Sequence, residues 1–178
     1  VAAPISMQET FLTIIKTSKT LYESKNDSTN LMYIGMLEKM DKSSLEYSSY
    51  CFGHAMQNGF YYPKTPSENA TAIYSKLKSD PTFTSKGARM TIEAPTGFWK
   101  NENYTSIDIT QNLENVVKNG TPLFGLYGKE DGLYSKEQII QVQNMTGKSN
   151  FKYLENCSHN VYIDQQNQFI TAINIWVK

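Results

Sequence analysis

Histidine is nearly missing from this chain, with two in 178 residues. Cysteine is as scarce, also two. Two thiols do not make a disulfide framework in a chain of this size, so a reducing, cytoplasmic compartment is the expectation. An excess of one charge is missing too: Lys plus Arg is 17 and Asp plus Glu is 17. That balance gives no electrostatic footprint for nucleic acid or for an anionic membrane surface. No apolar run approaches the roughly 20 residues that a spanning helix needs, so no membrane segment is expected. Internal repeats and low-complexity tracts are lacking as well. What is left reads as about one domain with enough residues to bury a core.

The chain that is present falls into three stretches. The first, residues 1–25, opens VAAPISMQETF. Val1 to Ala3 reads as the end of a buried strand. Ser6 with Glu9 reads as a capping box, and Phe11, Ile14, Ile15 and Tyr22 make an apolar stripe at helical spacing. A domain that opens at the end of a strand is expected to be the C-terminal part of a larger protein. The second stretch, 26–105, reads as short helices: Leu31–Met40, Leu45–Asn58 closed by Gly59, and Ser67–Ser79 behind a serine cap. It is dense in Met and aromatic residues, which suit either a small helical core or an adaptable apolar wall over a ligand.

The third stretch, 106–178, alternates. A helix capped by Asp108 and ended by Gly120 comes first. Thr121–Tyr127 is a continuous apolar run, as in a strand covered on both faces. Ser135 with Gln138 opens a helix that Gly147 ends. Phe151–Glu155 is a second short strand, and a last helix carries Phe169, Ile173 and Trp176. Such alternation predicts parallel strands with right-handed crossovers. Asp131 then falls just past the first strand and His159 just past the second, where sheets of this kind gather their chemistry. Neighbouring strands are about 4.8 Å apart, so a carboxylate and an imidazole are expected to meet. The carboxylate fixes the tautomer, and the other ring nitrogen is free to take a proton from a nucleophile.

Two segments resemble the α/β-hydrolases. Thr121–Asp131, TPLFGLYGKED, is similar to their strand and acid turn, and Asn156–Trp176 is similar to their histidine loop and last helix. The 28 residues from Asp131 to His159 and the order acid then histidine fit that family. The likeness is nearest the proline-iminopeptidase-like, cap-bearing branch. Ser158 and Asn160 flank the histidine where many members have Gly and Pro. The resemblance implies a fold: the C-terminal portion of an α/β-hydrolase, a mostly parallel sheet with flanking helices and an inserted helical cap at 26–105. It also implies a serine-type hydrolase, with Asp131 and His159 as catalytic acid and base, acting on an ester or an N-terminal peptide or amide bond. No cofactor and no metal are called for.

The nucleophile elbow G-x-S-x-G is absent; Gly147-Lys-Ser149 is the nearest match and lacks the closing Gly. The nucleophile, Ser or Asp, is therefore expected upstream of Val1. The isolated chain is expected to be inactive, and to bind its own N-terminal half or self-associate. The partners expected besides are a small-molecule or peptide substrate, whose free amine one of the cap carboxylates Glu38, Glu46, Glu68 or Glu93 could hold. The rival reading is a non-catalytic relative used for binding or assembly. Glu130 and Asp164 are alternative acids, Asp164 being better suited to an N-cap. His54 reads as a cap-core or surface residue and Cys157 as a buried apolar group. Cys51, His54, Cys157 and His159 can be drawn as a zinc set, but their spacing fits poorly.

Overall fold

A computed structural model describes residues 1–81 and 93–177. Eleven elements, besides short 3-10 turns, carry the argument. They are α1 (Met7–Ser24), α2 (Ser28–Leu37), α3 (Leu45–Gln57), α4 (Glu68–Ser79), α5 (Glu93–Glu102), α6 (Thr110–Lys118), β1 (Gly125–Gly128), α7 (Lys136–Thr146), β2 (Phe151–Leu154), α8 (Val161–Asp164) and α9 (Gln166–Trp176). The part of the expected cap at 82–92 lies outside the described residues.

The expected α/β-hydrolase sheet is not what the described chain forms. Helices take up 63% of it, and β1 and β2 are the only strands that pair into a sheet. They run parallel, with Gly125 opposite Phe151 and Gly128 opposite Leu154. The reasons are local. In the run Thr121–Tyr127, Pro122 has no N–H to give a ladder, and the Thr121 N–H turns back to Val116 O at the end of α6. At the other edge of β1, Ala2 has φ of 42°, outside strand geometry. It gives Leu126 O a single hydrogen bond of 2.9 Å. The apolar residues that a large sheet would cover go into helix packing instead.

Two clusters hold the chain together. In one, Phe11, Ile14 and Tyr22 of α1 pack on Ile34 and Leu37 of α2 and on Tyr47 and Cys51 of α3. The α1 stripe read from the sequence is buried there throughout. In the other, Leu126, Tyr127, Phe151 and Leu154 pack on Ile139 and Val142 of α7 and on Val161. Tyr134 packs against both.

The helix starts follow the capping residues. Asp27, Ser44 and Ser67 each accept a backbone N–H three residues on. Ser135 and Gln138 form a full capping box. Asp108 and Ser6 are exceptions: Asp108 stands one residue before the N-cap position of α6, Ile109, its Oδ1 accepting Thr110 N–H, and the Ser6 side chain caps nothing. The chain before α6 substitutes: Met7 N–H donates to Ile107 O at 2.9 Å and Ile109 N–H to Ile5 O at 2.8 Å. This backbone pairing satisfies Met7 N–H, one of the first-turn donors that have no partner within the helix.

Candidate functional site

β1 ends at Gly128 and β2 at Leu154, so the two following loops leave the same end of the parallel pair. Pairing continues beyond the strands. Lys129 N–H donates to Leu154 O at 2.9 Å, and Glu130 N–H to Cys157 O at 2.8 Å. Gly128 makes this approach possible, since a Cβ there would run into the backbone carbonyls of Cys157 and Ser158. The loops are thereby stitched together for several residues before their functional side chains emerge.

Asp131 and His159 meet at that end. His159 Nδ1 lies 3.0 Å from Asp131 Oδ2. The carboxylate is almost sealed, its side chain 1% exposed against 27% for the imidazole. Its other oxygen accepts Leu133 N–H at 3.0 Å. With Oδ2 accepting, Nδ1 carries the hydrogen and Nε2 presents a lone pair. Nε2 has no hydrogen-bond partner among the described residues.

Aromatic rings wall the imidazole. Tyr61 stands edge-on to it, centroids 5.3 Å apart, and Tyr134 lies tilted at 6.2 Å. Burial, and then the charge of Asp131, pushes the Tyr61 hydroxyl up to about 12. The same causes push Tyr127 up to about 12. These phenols stay protonated at neutral pH. Tyr134 OH donates to Ala2 O at 2.7 Å and Tyr127 OH to Ala3 O at 2.8 Å, which ties the start of the chain to the site.

Ser158, fully buried, locks three segments. Its Oγ donates to Phe60 O at 2.9 Å and lies 3.3 Å from Glu130 O. Gly132 N–H donates to the same Phe60 carbonyl at 3.1 Å. A Cβ on Gly132 would come within 2.6 Å of the Phe60 ring. The turn after α3 is thus clamped to the acid loop and the histidine loop together.

The rival acids are committed elsewhere. Glu130 Oε2 accepts Lys64 N–H at 2.6 Å. Asp164 is not the N-cap that the sequence suggests. It ends α8, buried, with Oδ2 accepting Ser158 N–H at 2.8 Å and Oδ1 accepting Tyr74 OH at 2.6 Å. Burial holds its carboxyl above the ordinary carboxylate range, against those two hydrogen bonds. Sequence reading counted Tyr61 only among the aromatics of the helical stretch, and it missed Tyr74 and the bridging role of Ser158. Nothing in the sequence marks these contacts, because Tyr74 reaches Asp164 across 90 residues.

The other candidates are dispersed. His54 is buried in the α1–α3 cluster with Nδ1 2.8 Å from Tyr22 OH. Burial pushes the thiols of Cys51 and Cys157 up to about 12, nearby carboxylates adding to the rise at Cys157. Neither is a thiolate at neutral pH. Among the described residues no group of three or more His, Cys, Asp or Glu side chains could hold a metal ion. Glu38 pairs with Lys19 at 3.0 Å, Glu46 and Glu68 sit exposed in the first turns of α3 and α4, and the side chain of Glu93 lies outside the described residues.

Beside the pair a cleft of about 470 Å³ opens between α4 and α8, lined by Tyr61, Tyr62, Tyr74, Asn160 and Tyr162 among others. A larger one, about 600 Å³, lies between α2 and α3; neither Asp131 nor His159 is among the lining residues of either cleft, and Tyr61 and Asn160 connect the smaller one to the pair. The expected wall of Met and aromatic residues is split between the two clefts: Tyr33, Met36, Met40 and Tyr50 line the larger, and Met56, Tyr61 and Tyr62 line the one near His159.

No helix among the described residues is long and apolar enough to cross a membrane. No protein-family model, curated protein or solved structure matches the chain.

Proposed function

We propose that Asp131 and His159 are the acid and base of a serine-type hydrolytic site that cleaves an ester or an N-terminal peptide or amide bond. One observation carries this reading: the 3.0 Å hydrogen bond from His159 Nδ1 to a sealed carboxylate, with Nε2 unpartnered on a partly exposed ring. Asp131 orients the ring and stabilises the imidazolium, and Nε2 takes the nucleophile's proton and later returns it to the leaving group. The likeness of 121–131 and 156–176 to the acid and histidine loops of known hydrolases supports the same roles. That likeness is of two loops and not of a sheet.

The nucleophile and the oxyanion-binding amides come, in this reading, from polypeptide beyond these 178 residues. Among the described residues no serine or threonine hydroxyl and no thiol is hydrogen-bonded to Nε2. The 178-residue chain by itself then turns nothing over, and the partner that completes the site restores activity. The test is hydrolysis of a p-nitrophenyl ester and an aminoacyl amide by the completed protein. His159→Ala is expected to lower kcat by orders of magnitude and leave the urea midpoint nearly unchanged. Full activity in that variant overturns the assignment. A completed protein that hydrolyses neither substrate favours the rival reading, a binding or assembly module.

A further inference from the structure

The larger cleft carries an inference independent of the hydrolytic reading. Its wall is built from Tyr33, Met36 and Met40 on one side and Tyr50, Gly53 and His54 on the other. Met36 is 60% exposed and Tyr50 58%, a great deal of apolar surface to leave facing water. The volume, about 600 Å³, falls among pockets that hold small molecules, which run roughly 300–1,000 Å³.

One polar group in this wall is set by a buried network. Asn58 Nδ2 donates to Ser18 Oγ and to Tyr22 OH, both at 3.0 Å. Tyr22 is buried, and its own hydrogen needs an acceptor. His54 Nδ1, at 2.8 Å, is the acceptor in reach. Nδ1 therefore carries no hydrogen, and Nε2 carries it. His54 as a whole is 9% exposed. Nε2 has no partner among the described residues, yet it is not one of the sealed polar atoms. His54 lines the cleft, which places this neutral N–H donor in the cleft wall.

We propose that the cleft between α2 and α3 binds one uncharged, largely apolar small molecule through a carbonyl oxygen that accepts from His54 Nε2–H. The donor calls for an acceptor on the ligand. Among the described residues no Lys or Arg lines the cleft, so a carboxylate or phosphate would find no countercharge from them. The methionines adapt to varied apolar shapes. A macromolecule lying flat across the rim would leave the nearly buried donor unmet, which favours a small molecule that enters.

The probe for the test is 6-propionyl-2-dimethylaminonaphthalene, an uncharged aromatic ketone whose emission shifts to the blue out of water. Titration onto the 178-residue chain is expected to give saturable, one-to-one, blue-shifted emission. Gly53 supplies the blocking variants, because a Cβ there meets nothing within 4 Å. Gly53→Ala should weaken binding slightly and Gly53→Leu at least tenfold, with unchanged circular dichroism. His54→Phe keeps the bulk without the donor and should weaken binding about five- to tenfold, one hydrogen bond's worth. Methyl octanoate should displace the probe better than octanoate. Binding unaffected by Gly53→Leu overturns the proposal. So does binding that Tyr162→Ala, in the other cleft, abolishes instead. Octanoate competing as well as its ester removes the uncharged class. A dimer in sedimentation that Gly53→Leu dissociates assigns the cleft to a second copy.

Discussion

Asp164 Oδ2 accepts the backbone N–H of Ser158 at 2.8 Å, one residue before the imidazole that faces Asp131. The same carboxylate takes Tyr74 OH at 2.6 Å, so helix α4 and the histidine loop share one buried anchor. Asp164→Ala leaves the Ser158 N–H without a partner in the interior and removes the acceptor for Tyr74. It should cost about 2–4 kcal/mol in urea denaturation, since each abandoned buried group costs about 1–3 kcal/mol. Asp164→Asn keeps an acceptor for Ser158 and no longer buries a charge, so it should cost about 1 kcal/mol or less. Equal losses for the two variants would contradict the anchor.

Two glycine substitutions should move stability in opposite directions. Gly128→Ala drives a Cβ into the Cys157 and Ser158 carbonyls, which are backbone and cannot rotate away. A loss of about 3 kcal/mol or more is expected, as for severe overpacking. Gly35 lies inside α2 with nothing within 4 Å of a built Cβ. Gly35→Ala should therefore add about 0.5–1 kcal/mol through helix propensity. Thermal unfolding of the pair checks both signs.

Removing the Ser158 hydroxyl should loosen the site rather than the fold. Ser158→Ala takes one donor from the Phe60 carbonyl, which keeps the Gly132 N–H. The cost should be about 1 kcal/mol. Amide exchange at Gly132 should quicken in this variant more than exchange within α7. Uniform exchange throughout the chain would argue against the clamp.

Acid should find His54. Burial holds its imidazole below the ordinary 6.5, so the unfolded chain binds that proton more readily than the folded one. Its contribution to stability is complete above pH 6.5 and is lost as pH falls from there through the lowered folded value. His54→Gln, which still offers Tyr22 OH an acceptor, should flatten that part of the stability curve. Urea midpoints from pH 7.5 down to pH 5 measure it. An unchanged slope in the variant would remove His54 as the source.

The sequence by itself determined the local events. The serine caps of α3 and α4, the capping box at Ser135 and the buried stripe of α1 are decided within a few residues by hydrogen-bond chemistry and helical spacing. Their positions follow from which backbone N–H groups lack a partner at a helix start. The meeting of Asp131 with His159 was also legible, because parallel strands place the following loops at one end. The extent of the sheet was not. Apolar runs such as Thr121–Tyr127 suit a covered strand or a covered coil alike, and only the partners that the packed chain offers choose between them. Tertiary structure alone decided that Ala2 gives β1 one hydrogen bond and no ladder. It alone turned Asp164 from an apparent cap into an anchor for the histidine loop, because Tyr74 and Ser158 reach one carboxylate from sequence positions 84 residues apart only after α4 docks. Such contacts depend on where distant surfaces come to rest, which no local pattern of residues encodes.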